Sequence, residues 1–167
     1  MCAFLEPIAL YMTKDLYEAG DGQWQFAYPA PGEALPLGEG RVYEQDADDL
    51  VVFTFGNGVP MALRAAREIE KKHGWRTRVV DLRWLAPLND KFIAGQARNA
   101  RRILVLDEGR RSAGVGEGII TAIVEGGCGA TPLQRVVGAD TYTPLAGAAL
   151  LVLPGEAEIV AAAERMA

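Results

Sequence analysis

The chain has 167 residues, 50% of them hydrophobic, with 22 acidic against 17 basic side chains and a formal net charge of −5 at pH 7. That is enough apolar material for one substantial core. The mild acidity, with basic residues only in pairs such as Arg101-Arg102 and Arg110-Arg111, argues against non-specific nucleic-acid or anionic-membrane binding, which need dense basic patches.

The opening MCAFLEPIALYM lacks a basic leader, and Glu6-Pro7 interrupts its apolar run. It reads as neither secretory signal nor membrane span. Cys2 and Cys128 give no disulfide framework and no zinc spacing, so a cytoplasmic protein is expected. Cys2 to Leu5 reads as a short buried strand, an abrupt start for a domain. Residues 13–40 carry Gly20, Gly22, Pro29, Pro31, Gly32, Pro36, Gly38 and Gly40. So many breakers leave room for a linker and at most a brief edge strand at Trp24-Phe26-Tyr28.

From Arg41 the texture changes. Arg41 to Glu44 is a weak strand, expected to pair antiparallel at a sheet edge. Leu50 to Phe55 (LVVFTF) is nearly continuous in its hydrophobicity, as a strand buried on both faces must be. Gly56-Asn57-Gly58 makes a sharp turn. A helix over 59–73 follows, with Pro60 in its first turn and Val59, Ala62, Leu63, Ala66 and Ile69 along one stripe. Strands are expected over 77–82, 102–106 and 133–137, and helices over 89–100 (capped by Asn89), 116–125 and 156–166. Strand and helix in alternation imply a mostly parallel sheet covered on both sides.

Few residues suggest chemistry. LVLDEGRRSAGVGEG (residues 104–118) resembles a strand running into a phosphate loop. Its G-x-G-x-G spacing is neither the dinucleotide fingerprint nor a P-loop, and Glu117 sets a negative charge where phosphate would sit. Asp107 and Glu108 lie at the carboxyl end of a parallel strand, where ligands of open sheets collect, but Arg110 and Arg111 can neutralise them locally. Asp107, Glu108, Arg110 and Arg111 are therefore expected at a subunit contact rather than in catalysis. Asp81 and Arg83 read as a local ion pair. The lone histidine, His73, reads as decorating a helix end, and Trp24, Trp75 and Trp84 as packing. Nothing here pairs a nucleophile with a base or builds a metal cage.

Several stretches, in order, resemble the beta subunits of thiamine-diphosphate-dependent 2-oxo acid dehydrogenases. Leu5-Glu6-Pro7 with Ala9-Leu10-Tyr11 is similar to their "EP-x-x-LY", and Leu35 to Gly40 to their "IPLGKA". Asp49 to Gly58 is similar to "DVTIVTYG", and Val79 to Leu88 to "VIDLRTLSPLD". Leu106 to Gly118 resembles "VEEG…GGVGAEI", Arg135 to Asp140 resembles "RVTGxD", and Leu153-Pro154 with the last helix resembles the family's ending.

The resemblance implies a transketolase C-terminal-like fold: a three-layer α/β/α domain over 41–167, with a five-stranded mostly parallel sheet whose first strand is antiparallel. Residues 1–40 would be the tail of a preceding pyrimidine-binding domain with its linker. The chain would then be a fragment or separately encoded tail of an enzyme that decarboxylates a 2-oxo acid such as pyruvate and passes the acyl group to lipoyl-lysine. Thiamine diphosphate and magnesium belong to the full enzyme, with none expected on this piece and no catalytic, cofactor-binding or metal-binding residue assigned here. Expected partners are other domains or subunits of the same enzyme, a second copy in a homo-oligomer, and a lipoyl acyltransferase. This chain has Gly129-Ala130-Thr131-Pro132 where docking relatives often carry an acid, which weakens that last expectation. Transketolase and deoxyxylulose-phosphate synthase, which end in the same domain, are the alternative. A free-standing nucleotide-binding module is the alternative of another class.

Overall fold

A computed structural model describes residues 2–167. Five strands form one sheet: β1 (Arg41–Tyr43), β2 (Leu50–Thr54), β3 (Thr77–Asp81), β4 (Ile103–Arg110) and β5 (Leu133–Gly138). Four helices alternate with them: α1 (Gly58–His73), α2 (Asp90–Ala97), α3 (Val115–Ile123) and α4 (Glu156–Glu164). The sheet order is β1-β3-β2-β4-β5. All pairings are parallel except β1 with β3, where Val42 faces Val80.

Alternation along β2 shows how the layers close. Leu50 and Val52 point into one core with Val79, Leu104 and Leu106, covered by α1 and α4 through Val59, Ile69, Ile159 and Ala163. Val51 and Phe53 point into the other with Val80, Ile103 and Val105, covered by α2 and α3 through Ile93, Ile119 and Ile123. A strand with two buried faces has no polar face to show, hence LVVFT. The expected three-layer α/β/α architecture is what forms.

Helix ends follow local chemistry. The Asn89 side chain accepts the Phe92 N–H at 3.0 Å and starts α2. Gly74, at φ 69°, ends α1 in the left-handed conformation that only glycine adopts without strain. His73 closes that helix with its Nε2 3.5 Å from Glu164 on α4, the helix-end position expected of it.

Four expectations need correction. Cys2–Leu5 forms no strand: Phe4 and Leu5 are 84% and 82% exposed, because this segment reaches no sheet edge and an unpaired strand leaves its backbone polar groups unbonded. Trp24 to Tyr28 is likewise no strand. Trp24 donates its N–H to the Lys14 carbonyl at 2.9 Å and meets Phe26 edge-on, the rings 5.2 Å apart. β4 continues through Asp107 to Arg110, past a register shift against β5, where a loop was expected. The third helix gives way after Ile123 to a wider turn over Val124–Cys128, with Gly127 at φ 86°.

Residues 13–40 hold no regular element, as their breakers dictate, yet part of the segment is tightly organised. Asp21 accepts N–H groups from Leu16, Tyr17, Glu18 and Gln23, and Asp15 those of Gly20 and Gly22. The bonds hold the Asp21 carboxyl well below the usual carboxylate range. The loop they build delivers Leu16 into the core beside α1. Residues Ala146–Glu164 reach a mean hydropathy of 1.5. They divide into a 3₁₀ helix (Ala146–Leu151) and α4, separated around Pro154, and neither approaches the ~20 residues a span needs.

Candidate functional site

Chain order reverses between β2 and β4. β2 leads through α1 to β3 on one side, and β3 then crosses through α2 to β4 on the other. The carboxyl ends of β2 and β4 flank that reversal, which is where open α/β sheets receive ligands. Two glycine-led helices start there, α1 at Gly58 after Gly56-Asn57 and α3 at Val115 after Gly114.

Neither start offers an anion site. At α3 the place is taken by the protein's own carboxylate. Asp107, 3% exposed, accepts the Gly109 N–H at Oδ1 and the Gly116 N–H at Oδ2, both at 2.7 Å. Glu117 adds a second bond, accepting the Ala113 N–H at 3.1 Å, and sits 3.7 Å from Arg135. A side chain at Gly114 would come within 2.8 Å of the Asp107 carboxylate, so the glycine lets the chain wrap that acid. At α1, a side chain on Gly58 would collide with Thr54 and press on Leu106. That glycine lets the helix dock on the strand.

Above these starts the edge is polar. Glu108 is half-buried, and burial pushes its carboxyl up, while a hydrogen bond from Asn57 pulls it down and the neighbouring Asp107 pushes it up again. The Asn57 Oδ1 and the Thr54 hydroxyl are buried without a partner. Asp81, at the end of β3, pairs with Arg83 as expected. Burial nonetheless holds its carboxyl above the ordinary range, against the pull of Arg83 and Arg41.

The four residues expected at a contact therefore divide. Asp107 faces inward and organises the backbone. Glu108 is half-buried at the surface, and Arg110 and Arg111 are exposed. Among the described residues none of these three makes an ion pair.

Sequence reasoning missed the loop after β5. It leaves and rejoins the sheet at one place, the Ala139 N–H donating to the Val152 carbonyl at 2.8 Å, and the Ser112 hydroxyl ties it to Asp140 at 3.0 Å. Between those points Tyr142, Leu145, Leu150 and Leu151 stand 80–91% exposed. The available signal was TYTPLAGAALLVLP, a mostly apolar run with no charged residue to provide a solvent face. No group of three His, Cys, Asp or Glu side chains gathers to hold a metal among the described residues.

A family model described as "Transketolase, C-terminal domain" matches residues 38–156. The 3-methyl-2-oxobutanoate dehydrogenase subunit beta of Mycobacterium tuberculosis is 34% identical over 163 residues, covering 96% of this chain and 45% of that protein. The mitochondrial pyruvate dehydrogenase E1 component subunit beta of Pisum sativum is 35% identical over 134 residues, 78% of this chain and 37% of that protein. The corresponding Staphylococcus aureus subunit is 29% identical over 134 residues, 79% of this chain and 41% of that one. The chain thus spans less than half the length of these relatives. Among solved structures, a split gene transketolase described as an inactive beta4 tetramer superposes with a TM-score of 0.67 at 24% identity. It covers 82% of this chain and 44% of that chain, a likeness of fold.

Proposed function

The chain belongs to the transketolase C-terminal domain family, and on that premise we propose that it is the assembly domain of a 2-oxo acid dehydrogenase decarboxylating component. The observation that carries this is the match to dehydrogenase beta subunits along 96% of the chain. The relatives divide between 3-methyl-2-oxobutanoate and pyruvate, so the proposal is for the reaction class: oxidative decarboxylation with acyl transfer to a lipoyl group. A cytoplasmic setting suits two unpaired cysteines, Cys2 exposed and Cys128 buried.

Thiamine diphosphate, the cofactor this class implies, does not fit the residues present. A diphosphate needs open N–H groups at a helix start. Here the Gly116 N–H is already bonded to Asp107, and at α1 the Gly58 and Val59 N–H groups donate to the Phe55 and Gly56 carbonyls at 3.1 and 3.2 Å. The cofactor and its magnesium would be held by other domains or subunits. The role left to this chain is packing against those parts and keeping them in place.

Titration calorimetry with thiamine diphosphate and Mg²⁺ tests the reading. The chain alone should give no binding heat and no decarboxylation of pyruvate or 3-methyl-2-oxobutanoate. Saturable binding at micromolar cofactor would overturn it.

A further inference from the structure

We propose that the cleft between the 16–26 loop, α1 and the β1 edge of the sheet is a binding site for a neutral, planar heteroaromatic molecule with a ring N–H to donate. A half-open cavity of about 320 Å³ lies there, within the roughly 300–1,000 Å³ of small-molecule pockets. Thr77, where β3 begins, and Tyr43, where the antiparallel β1 ends, both line it. They place it at the amino ends of the strands, at the opposite end of the sheet from the glycine-led helix starts. The site stands whether or not the chain serves in assembly.

The loop builds the cavity. Asp15 and Asp21 gather its backbone N–H groups, which fixes Leu16 in the core and brings Tyr17 and Trp24 to the cavity with Leu63 and Ala66 of α1. Phe26 and Tyr43 complete an aromatic lining. Trp24 and Phe26 meet edge-on. Arg41 lies 4.6 Å from the Phe26 ring and 4.9 Å from that of Tyr43, and it is not itself a lining residue. These contacts hold the rings in place ahead of a guest, and a flat guest finds both faces and edges to stack on.

Charge selects the occupant. Arg67 sits 4.9 Å from the Tyr17 ring, and Arg41 serves Phe26 and Tyr43. The rings already have their cations, so a cationic guest would meet like charge. An anion fares no better. Arg76 lies 3.7 Å from Glu44 and Arg67 3.9 Å from Glu18, and Glu70 adds negative charge to the same lining. One polar group is left open: the Thr77 hydroxyl is buried, with no hydrogen-bond partner among the described residues. A buried hydroxyl left unbonded is costly. A ring N–H arriving from the cavity supplies the missing bond, which sets an indole-like ring above a plain hydrocarbon.

Amide shifts in nuclear magnetic resonance test this on the full chain, with indole, benzothiophene (the same shape without the N–H) and tetramethylammonium as probes. Indole should bind saturably with a Kd below about 1 mM and shift residues 17, 23–26, 43, 66–70 and 77. Thr77→Val should lower the affinity for indole about fivefold or more and leave that for benzothiophene unchanged. It should not lower the melting temperature, since the hydroxyl has no bond to lose. Ala66→Phe, which fills the cavity from α1, should abolish binding of both rings while circular dichroism shows a folded chain. No saturable indole binding, shifts centred outside the cavity, tighter binding of tetramethylammonium than of indole, or an indole affinity unchanged in Thr77→Val would each overturn the proposal.

Discussion

The two ends of the sheet are finished differently. At the amino end, where the strands begin, the charges are closed on one another. Arg101 lies 3.9 Å from Asp48 and 3.5 Å from Asp49. Arg102 donates to the Met166 carbonyl at 2.7 Å and stacks 3.7 Å above the Trp75 ring. Asp49 accepts the Arg76 N–H at 3.1 Å, and Arg76 lies 3.7 Å from Glu44. At the carboxyl end, Glu108, Arg110 and Arg111 make no ion pairs among the described residues, and Leu145, Leu150 and Leu151 of the loop after β5 stand exposed. Arg101-Arg102 and Arg110-Arg111 look alike in sequence, and the fold gives only one of the pairs internal partners.

The largest effect should come from beneath the open edge. Gly58→Val drives methyl groups into Thr54 and Leu106 and should destabilise the fold by about 3 kcal/mol or more in urea unfolding. A stable variant would show that α1 stands off the strand and that its start is open to ligands. Next comes Asp107→Ala, which leaves the Gly109 and Gly116 N–H groups unbonded. Bonds to a charged group are worth about 1.5–3 kcal/mol each, and since only the Gly116 bond is fully buried a loss of about 2–4 kcal/mol is expected. Unchanged stability would show that neither N–H depends on the Asp107 carboxylate.

These two residues also show how far the sequence could be read. The strand-helix alternation, both helix-covered faces and the antiparallel edge were legible because burial writes itself as period: LVVFT for two buried faces, and a stripe at 59, 62, 63 and 69 for a helix, in which the fold buries Ala65 and leaves the expected Ala66 half-buried. That β1 pairs with β3 rather than with β2, its neighbour in sequence, was not, because nothing local records which edge is vacant. The glycines near 56–58 and 114–118 were legible as turns. The reason each must be glycine was not, since the atoms they approach, Thr54 and the Asp107 carboxylate, are set by packing. Cys2–Leu5 misled because an apolar run states that burial is wanted without stating where.

Smaller effects sharpen the contrast of the two ends. Arg102→Ala removes the Trp75 stack and the Met166 bond, and should cost about 1–2 kcal/mol. Asp81 gives a pH signature. Its folded carboxyl is raised above the ordinary value of 3.8, so folding favours the protonated form. That contribution is complete below 3.8 and is lost as pH rises through the raised folded value. The stability of the wild type relative to Asp81→Asn should therefore fall across that window. A difference that rises with pH would mean the Arg83 pair outweighs burial. Smallest of all, Arg110→Ala with Arg111→Ala should change unfolding stability by less than about 0.5 kcal/mol. A larger loss of stability would show that these arginines have internal partners after all.

Backbone hydrogen exchange tests the difference between the two ends most directly. Exchange should be slow at residues 49–50, 76 and 101–102, whose groups are bonded within the fold, and fast at residues 4–12 and 142–151, whose large apolar side chains stand exposed. Equal protection at the two ends, or faster exchange at the amino end, would contradict the contrast between them.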